Sequence, residues 1–279
     1  MDFAGLIDRS MILRIVVALL FAPIVVIIFI SRGLPLCLFL LAVTLVGQWE
    51  MYRMFTDPVR GFQRVLGYLI GSAVVVDAYL YQAAHFIDIF MLAVLLSFVI
   101  EILVGHSDKF MSVLKSVFVV IYPATFVAFL IRVAEHPPLL NGLDTKYLAL
   151  LVLISIWIFD TASYFAGRFF GRHPFFPSLS PKKTVEGFLG GIGGVAVMAV
   201  VCYQFCPAMN AHIFPIILIS AIAGQAGDLS ESLLKREMRI KDSSNILPGH
   251  GGILDRFDSL FFAGPAVWFY LSLVARLGG

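Results

Sequence analysis

The sequence predicts an all-α fold: a polytopic integral membrane helix bundle of about nine transmembrane helices. Composition is the first reason. Of the 279 residues, 60% are hydrophobic and 14% charged, with a mean hydropathy of +0.94, whereas a soluble chain is about half apolar and about a quarter charged. Run length is the second, because the apolar windows are long enough to cross a bilayer core of about 30 Å as helices. The third is the placement of charge, which falls mostly on one side of the alternating spans. A net charge of +2 is too small to imply a nucleic-acid partner.

Taken in order, the windows place spans near 12–30, 34–52, 65–83, 86–104, 113–133, 147–167, 185–205, 212–234 and 260–277. The first run follows Arg9 and Arg14, as in a signal peptide. It has the full bilayer length, however, and no small-residue cleavage site follows, so it reads as a retained helix. Gln48 and Glu50 crowd the end of the second span. Pro23, Pro123 and Pro215 fall inside or near span ends, where neighbouring groups can satisfy the freed carbonyl. Cys37, Cys202 and Cys206 lie in or beside apolar runs without a CxxC or Cys/His spacing, and read as small buried hydrophobes.

Alternating the nine spans puts sixteen Lys and Arg on one side and only Arg32, Arg132, Lys146 and Arg276 on the other. By the positive-inside rule the N-terminus is cytoplasmic and the C-terminus is outside. The expected location is the cell inner (plasma) membrane, with the charged stretches below facing the cytoplasm.

Residues 1–145 read as a transmembrane scaffold that also supplies the contact for an expected homodimer. Asp77 and Glu101 lie within spans, where an ionisable group is expensive and faces the protein interior; a structural hydrogen-bonding role suits them as well as a catalytic one. His85, His106, His136 and His212 sit at span ends or in loops and read as interfacial. Gly67 and Gly71, four apart, suit close helix packing.

Residues 146–279 read as a transmembrane catalytic region carrying three polar clusters on one side. In the first, Asp160, Tyr164 and Arg168 recur every four residues and share a helix face. The alternative for Asp160 is a carboxylate neutralised by a neighbouring helix. In the second, Ser180 is expected to cap a helix with Pro181 in its first turn, and Glu186 lies close by. Lys182, Lys183 and Thr184 at that helix start make an anion site, or else the lysines snorkel to the headgroups. Gly187, Gly190, Gly191, Gly193 and Gly194 then form overlapping small-xxx-small pairs for tight packing, not a nucleotide-binding loop.

The third cluster runs from Asp228 to Asp258. Asp228, Ser232 and Lys235 follow at steps of four and three and share one helix face; Asp255 and Asp258 share another if the chain is helical there. Three carboxylates from two segments, Asp228, Asp255 and Asp258, make a site for a hard divalent cation such as Mg²⁺, which takes one or two carboxylates, waters and substrate phosphate oxygens. Lys235, Arg236, Lys241 and Arg256 supply phosphate-reading cations, and Pro248 with Gly249, Gly251 and Gly252 breaks the helix and lets backbone N–H groups approach an anion. No nucleophilic Ser or Cys is paired with a His. This inventory suits phosphoryl or nucleotidyl transfer, where positioning and charge neutralisation supply most of the rate.

The run Ser232-x-Leu234-Lys235-Arg236-x₄-Lys241-Asp242-x-Ser244-x₂-Leu247-Pro248-x-His250-Gly251-Gly252-Ile253-x-Asp255-Arg256-Phe257-Asp258 resembles the signature of the phosphatidate cytidylyltransferases. Asp160-Thr161-x-x-Tyr164 and Ser180-Pro181-Lys182-Lys183-Thr184-x-Glu186-Gly187 resemble the family's other motifs; Ser163 and Val185 depart from its usual small apolar and aromatic residues. The resemblance implies an inner-membrane enzyme that joins CTP to phosphatidic acid, forming CDP-diacylglycerol and pyrophosphate for phospholipid synthesis. It further implies Mg²⁺ on Asp228 and Asp255, with Asp258 completing the site, and a second, monovalent cation such as K⁺. Lys235, Arg236 and Arg256 would neutralise phosphates. Lys182 and Lys183 would take the lipid phosphate or the triphosphate tail, and Asp160 and Tyr164 would line the pocket. Lys241, Asp242 and His250 would order the loop or contact the nucleotide. Other readings are transfer to an isoprenoid-ether lipid phosphate, a CTP-dependent polyprenol kinase, and an ion-coupled transporter using Asp77, Glu101, Asp160 and Asp228.

Overall fold

The computed structural model describes residues 9–57, 59, 61–104, 109–136, 145–205, 211–246 and 251–277. Its elements are α1 (Arg9–Ser31), α2 (Gly33–Met54), α3 (Gly61–Tyr81), α4 (Phe86–Val104), α5 (Lys109–Val119), α6 (Phe126–Ala134), α7 (Leu148–Phe170), α8 (Val185–Phe205), α9 (Ile213–Glu237) and α10 (Leu254–Leu277). Among the described residues there are eight helices long and apolar enough to cross a membrane, and a shorter apolar helix over Leu20–Ser31. The chain is a multi-pass membrane helix bundle.

The α5 and α6 segments are one span, Phe110–Ala134, joined by a π-helical turn over Val120–Thr125. Pro123 sits in that turn. It has no N–H to donate and its ring would clash with the carbonyl four residues back, and a widened turn relieves both problems. At the other end of the bundle, Arg32 at φ 53° turns the chain sharply between α1 and α2, and Glu135 accepts a hydrogen bond from Gly33 N at 2.9 Å.

Small residues set how closely the helices approach. A side chain at Gly67 would overlap the Tyr52 hydroxyl, and one at Gly71 the Gln48 amide, so α3 lies tight on α2 as the spacing predicts. Between α8 and α7, Gly190 faces Ala166, Gly191 faces Ser163 and Phe159, and Gly194 faces Ala162. Gly193 is a correction: it points into open space and takes no part in this seam. Between α9 and α10, Gly227 lies against the backbone of Asp258. That contact brings the two acid-bearing helices together.

The predicted spans agree with the helices except at the last. Hydropathy starts it near residue 260, but α10 begins at Leu254, so Asp255, Arg256 and Asp258 are helical. Their charges depress the local hydropathy and hide the helix start from an apolar window. The ends that carry the polar clusters (the C-termini of α2, α7 and α9 and the N-termini of α8 and α10) meet at one end of the bundle.

Candidate active site at the loaded end of the bundle

The segment between α7 and α8 folds back on itself. Phe175 N donates to Lys183 O at 2.8 Å and Val185 N to His173 O at 2.9 Å, around a bridge between Pro174 and Thr184. Ser180 is not the cap of α8. Its carbonyl accepts from Lys183 N at 3.2 Å, closing a turn in which Pro181 takes the position it also favours in turns. Thr184 caps the helix instead, its Oγ1 accepting Gly187 N at 3.1 Å. Glu186 ties the segment down by accepting from Arg172 N (3.0 Å) and His173 N (3.2 Å). The outcome is that Lys182 and Lys183 are carried over the open side of α7.

A cavity of about 520 Å³ lies there, between α7, α8 and this segment. Asp160, Tyr164 and Arg168 line it from α7 as the four-residue spacing predicts, with Ser180, Lys182, Lys183, Thr184, Phe175, Phe188, Gln225 and Asp228 opposite. Arg168 donates to the Tyr164 hydroxyl at 2.9 Å, and Lys183 is bound to Asp228 at 2.5 Å. Three cations and two carboxylates line this cavity, a balance that favours an anion, and the rings of Tyr164, Phe175 and Phe188 are among its walls.

A second cavity, of about 400 Å³, shares Asp160 and Asp228 with the first. It also holds Glu231, Lys235, Asp242, Asp255, Arg256 and Asp258, so acids outnumber bases here. Lys235 bridges two of them, Glu231 at 2.9 Å and Asp255 at 2.6 Å. From the helix ends, and at about 1.5 Å per residue, Asp258 lies about 6 Å, Asp228 about 14 Å and Asp160 about 15 Å inside its span. The two cavities therefore reach deep into the bundle and meet at the Asp160–Asp228 wall.

Asp255 is more fully engaged than expected of a metal ligand. Its Oδ1 is held by Lys235, and its Oδ2 accepts from Ser243 N (2.9 Å), Ser243 Oγ (2.9 Å) and Gly252 N (2.8 Å). The backbone N–H of Gly252 thus serves a carboxylate of the chain itself. Gly251 adopts φ +80°, where a side chain would be strained and would crowd Asp255.

Among the described residues no three His, Cys, Asp or Glu side chains are gathered closely enough to hold a metal ion on their own. The residues nonetheless fit a hard divalent cation that takes the rest of its shell from water and substrate phosphate. The second cavity has an excess of carboxylates, and among the described residues the Oε1 of Glu231, 1% exposed, meets no N–H donor and lies beside the Asp258 carboxyl.

Of the other residues the sequence singles out, Ser232, Arg236 and Lys241 line neither cavity; Arg236 is exposed and its Nε reaches Leu179 O at 3.5 Å. His250 lies outside the described residues, with Leu247, Pro248 and Gly249. Glu231 takes the cavity position expected of Ser232. A step of three from Asp228 and four to Lys235 could have found it. Glu50 shows in the sequence only as a charge crowding the end of a span.

A profile of the Cytidylyltransferase family matches residues 12–274. The "Phosphatidate cytidylyltransferase" of Bacillus subtilis (strain 168) is 34% identical over 266 residues, 93% of this chain and 97% of that one. That of Aquifex aeolicus (strain VF5) is 40% identical over 166 residues, 59% of this chain and 58% of its own length. The one from Staphylococcus haemolyticus (strain JCSC1435) is 43% identical over 125 residues, so the aligned stretch spans about half of that relative (48%) and of this chain (44%). With the profile running almost end to end and one relative matched over nearly its whole length, the chain belongs to the cytidylyltransferase family.

Proposed function

We propose that this chain is a CTP:phosphatidate cytidylyltransferase, transferring CMP from CTP to phosphatidic acid. Family membership supports the nucleotidyl transfer, and the names of the relatives supply the lipid substrate. One observation carries the reading at the site: an anion-favouring cavity with aromatic walls and an acid-rich cavity meet at Asp160 and Asp228. The lipid phosphate takes the first, between Lys182, Lys183 and Arg168. The nucleotide triphosphate takes the second, beside Lys235 and Arg256.

A phosphatidate oxygen attacks the α-phosphorus of CTP, the new P–O bond forms, and the bond to the β-phosphate oxygen breaks. Pyrophosphate leaves with that electron pair. The attacking phosphate is already ionised near neutral pH, so the step needs no general base from the chain. The residues act by orienting two anions against each other and offsetting their repulsion. Mg²⁺ would be held by Asp228 and Asp258 and by the one Asp255 oxygen that meets only Lys235, with Glu231 beside them, and when bound supplies charge neutralisation between the reacting phosphates. A second, monovalent cation such as K⁺ fits the same surplus of carboxylates.

The site faces the cytoplasm of an inner (plasma) membrane, on the sixteen-to-four bias of Lys and Arg. A homodimer would use the first half of the chain. The test is purified protein in detergent with labelled CTP, Mg²⁺ and phosphatidic acid. CDP-diacylglycerol and pyrophosphate are expected in equal amounts. Phosphorylation of a polyprenol, or solute flux in vesicles without any CDP-lipid, would overturn the reading.

A further inference from the structure

We propose that Glu50, at the end of α2 in the first half of the chain, is a positioning residue for the transfer site. It fixes the loop and helix start that present Asp255, the partner of Lys235, to the acid-rich cavity. The inference rests on the reaction proposed above and adds a residue outside its cavities, 204 positions from the helix start that it caps.

Glu50 is fully buried, at 0% exposure. Its Oε2 accepts from Leu254 N at 2.7 Å, and its Oε1 from Ile253 N at 2.9 Å and from the Ser244 hydroxyl at 2.5 Å. All these partners are donors, so a carboxylate, which only accepts, suits the position, whereas an amide would turn an N–H₂ toward N–H groups. The charge sits at the N-terminus of α10, where the helix dipole favours it. The cap of α10 is therefore supplied by a different part of the chain.

A plain helix cap would end there. Glu50 goes further, because it shares its contacts with Asp255. The Ser243 hydroxyl has one proton and stands 2.9 Å from Asp255 Oδ2 and 3.3 Å from Glu50 Oε2. Gly252 donates its N–H to Asp255, and a side chain there would overlap both Ser243 and the Glu50 carboxylate. Ser243 and Gly252 are thus clamped between the two acids. Displacing Glu50 moves the donors that hold one oxygen of Asp255, while the other carries Lys235 at 2.6 Å in the cavity.

The test compares Glu50→Gln and Ser244→Ala with wild type in the same detergent. It measures kcat, the KM for each substrate, and hydrogen exchange at the backbone amides of Ser243, Ile253 and Leu254. For Glu50→Gln, kcat is expected to fall about tenfold or more, with both KM values within about threefold. Exchange should quicken at those amides and stay as in wild type across α7 and α8. Ser244→Ala removes one donor and keeps the fold, and should lower kcat about two- to fivefold. Unchanged kcat with faster local exchange makes Glu50 a cap for stability alone and overturns the proposal. So does Glu50→Gln loosening the whole bundle while Ser244→Ala turns over normally. A wild type that makes no CDP-lipid overturns the reaction itself before any variant is compared.

Discussion

Carboxylates are buried in both halves of this chain, yet they are satisfied in opposite ways. In the first half each has a partner that ends the matter: Glu50 takes backbone N–H groups and hydroxyls, Asp77 binds His85, and Glu101 accepts from the Gln63 amide at 3.2 Å. In the second half Asp160, Asp228, Glu231, Asp255 and Asp258 line one cavity, from buried Glu231 and Asp258 through half-buried Asp228 and Asp255 to exposed Asp160, and Lys235 is divided between two of them. Burying a charge in a low-dielectric interior costs several kcal/mol unless it is compensated. The first-half acids are compensated by the fold. Those of the second half are gathered beyond the cations around them, an arrangement suited to a ligand that brings positive charge.

The largest expected effect tests the acid surplus directly. Asp228 belongs to both cavities and binds Lys183, so Asp228→Asn should lower turnover about a thousandfold, about 4 kcal/mol in the barrier, in protein that still purifies as a folded species. Near-normal turnover would remove it from the site and erase the contrast between the halves. Lys183→Met should cost about a hundredfold in kcat/KM, with the KM for phosphatidate rising more than that for CTP. Equal rises in both would mean that the two cavities do not divide the substrates.

A smaller effect concerns the walls. Gly191 lies against Ser163 and Phe159 with no room for a methyl group, so Gly191→Ala should lower stability by about 1–3 kcal/mol through overpacking, read as an earlier thermal melt. Activity in the fraction that stays folded should fall by less than for either charge variant. A loss as deep as that of Asp228→Asn would mean that the α7–α8 seam, not its charges, limits turnover.

The legible and illegible parts of the site divide by sequence distance. Helical spacing placed Asp160, Tyr164 and Arg168 on one face because they lie on one turn-by-turn ladder, and all three line a cavity. The same arithmetic put Ser232 with Asp228 and Lys235, but the face that turns inward carries Glu231. Hydropathy missed the start of α10 because a helix that opens on Asp255 and Arg256 looks like a loop to an apolar window. Pro181 reads equally well as a first helical turn or a reverse turn, and only the pairing of residues 173–175 with 183–185 decides between them. Glu50 was visible only as a charge crowding the end of a span. Its partners are supplied by tertiary structure, and periodicity carries no trace of them.

The smallest expected effect is the sharpest check on the first half. Asp77 sits near the C-terminal end of α3, where Gln82 and Ala83 at positive φ turn the chain toward α4. Its Oδ1 lies 2.8 Å from His85 Nδ1 and its Oδ2 accepts His85 N at 3.2 Å, so the side chain closes that turn at the end of the bundle away from the cavities. Asp77→Asn keeps one acceptor oxygen and the same shape. It should cost about 0.5–1.5 kcal/mol in stability and leave CDP-lipid formation within about twofold of wild type. An ion path through the membrane would need this group to change its charge, and the variant would then abolish activity. The turn needs only an acceptor, and so it should survive the loss of the charge.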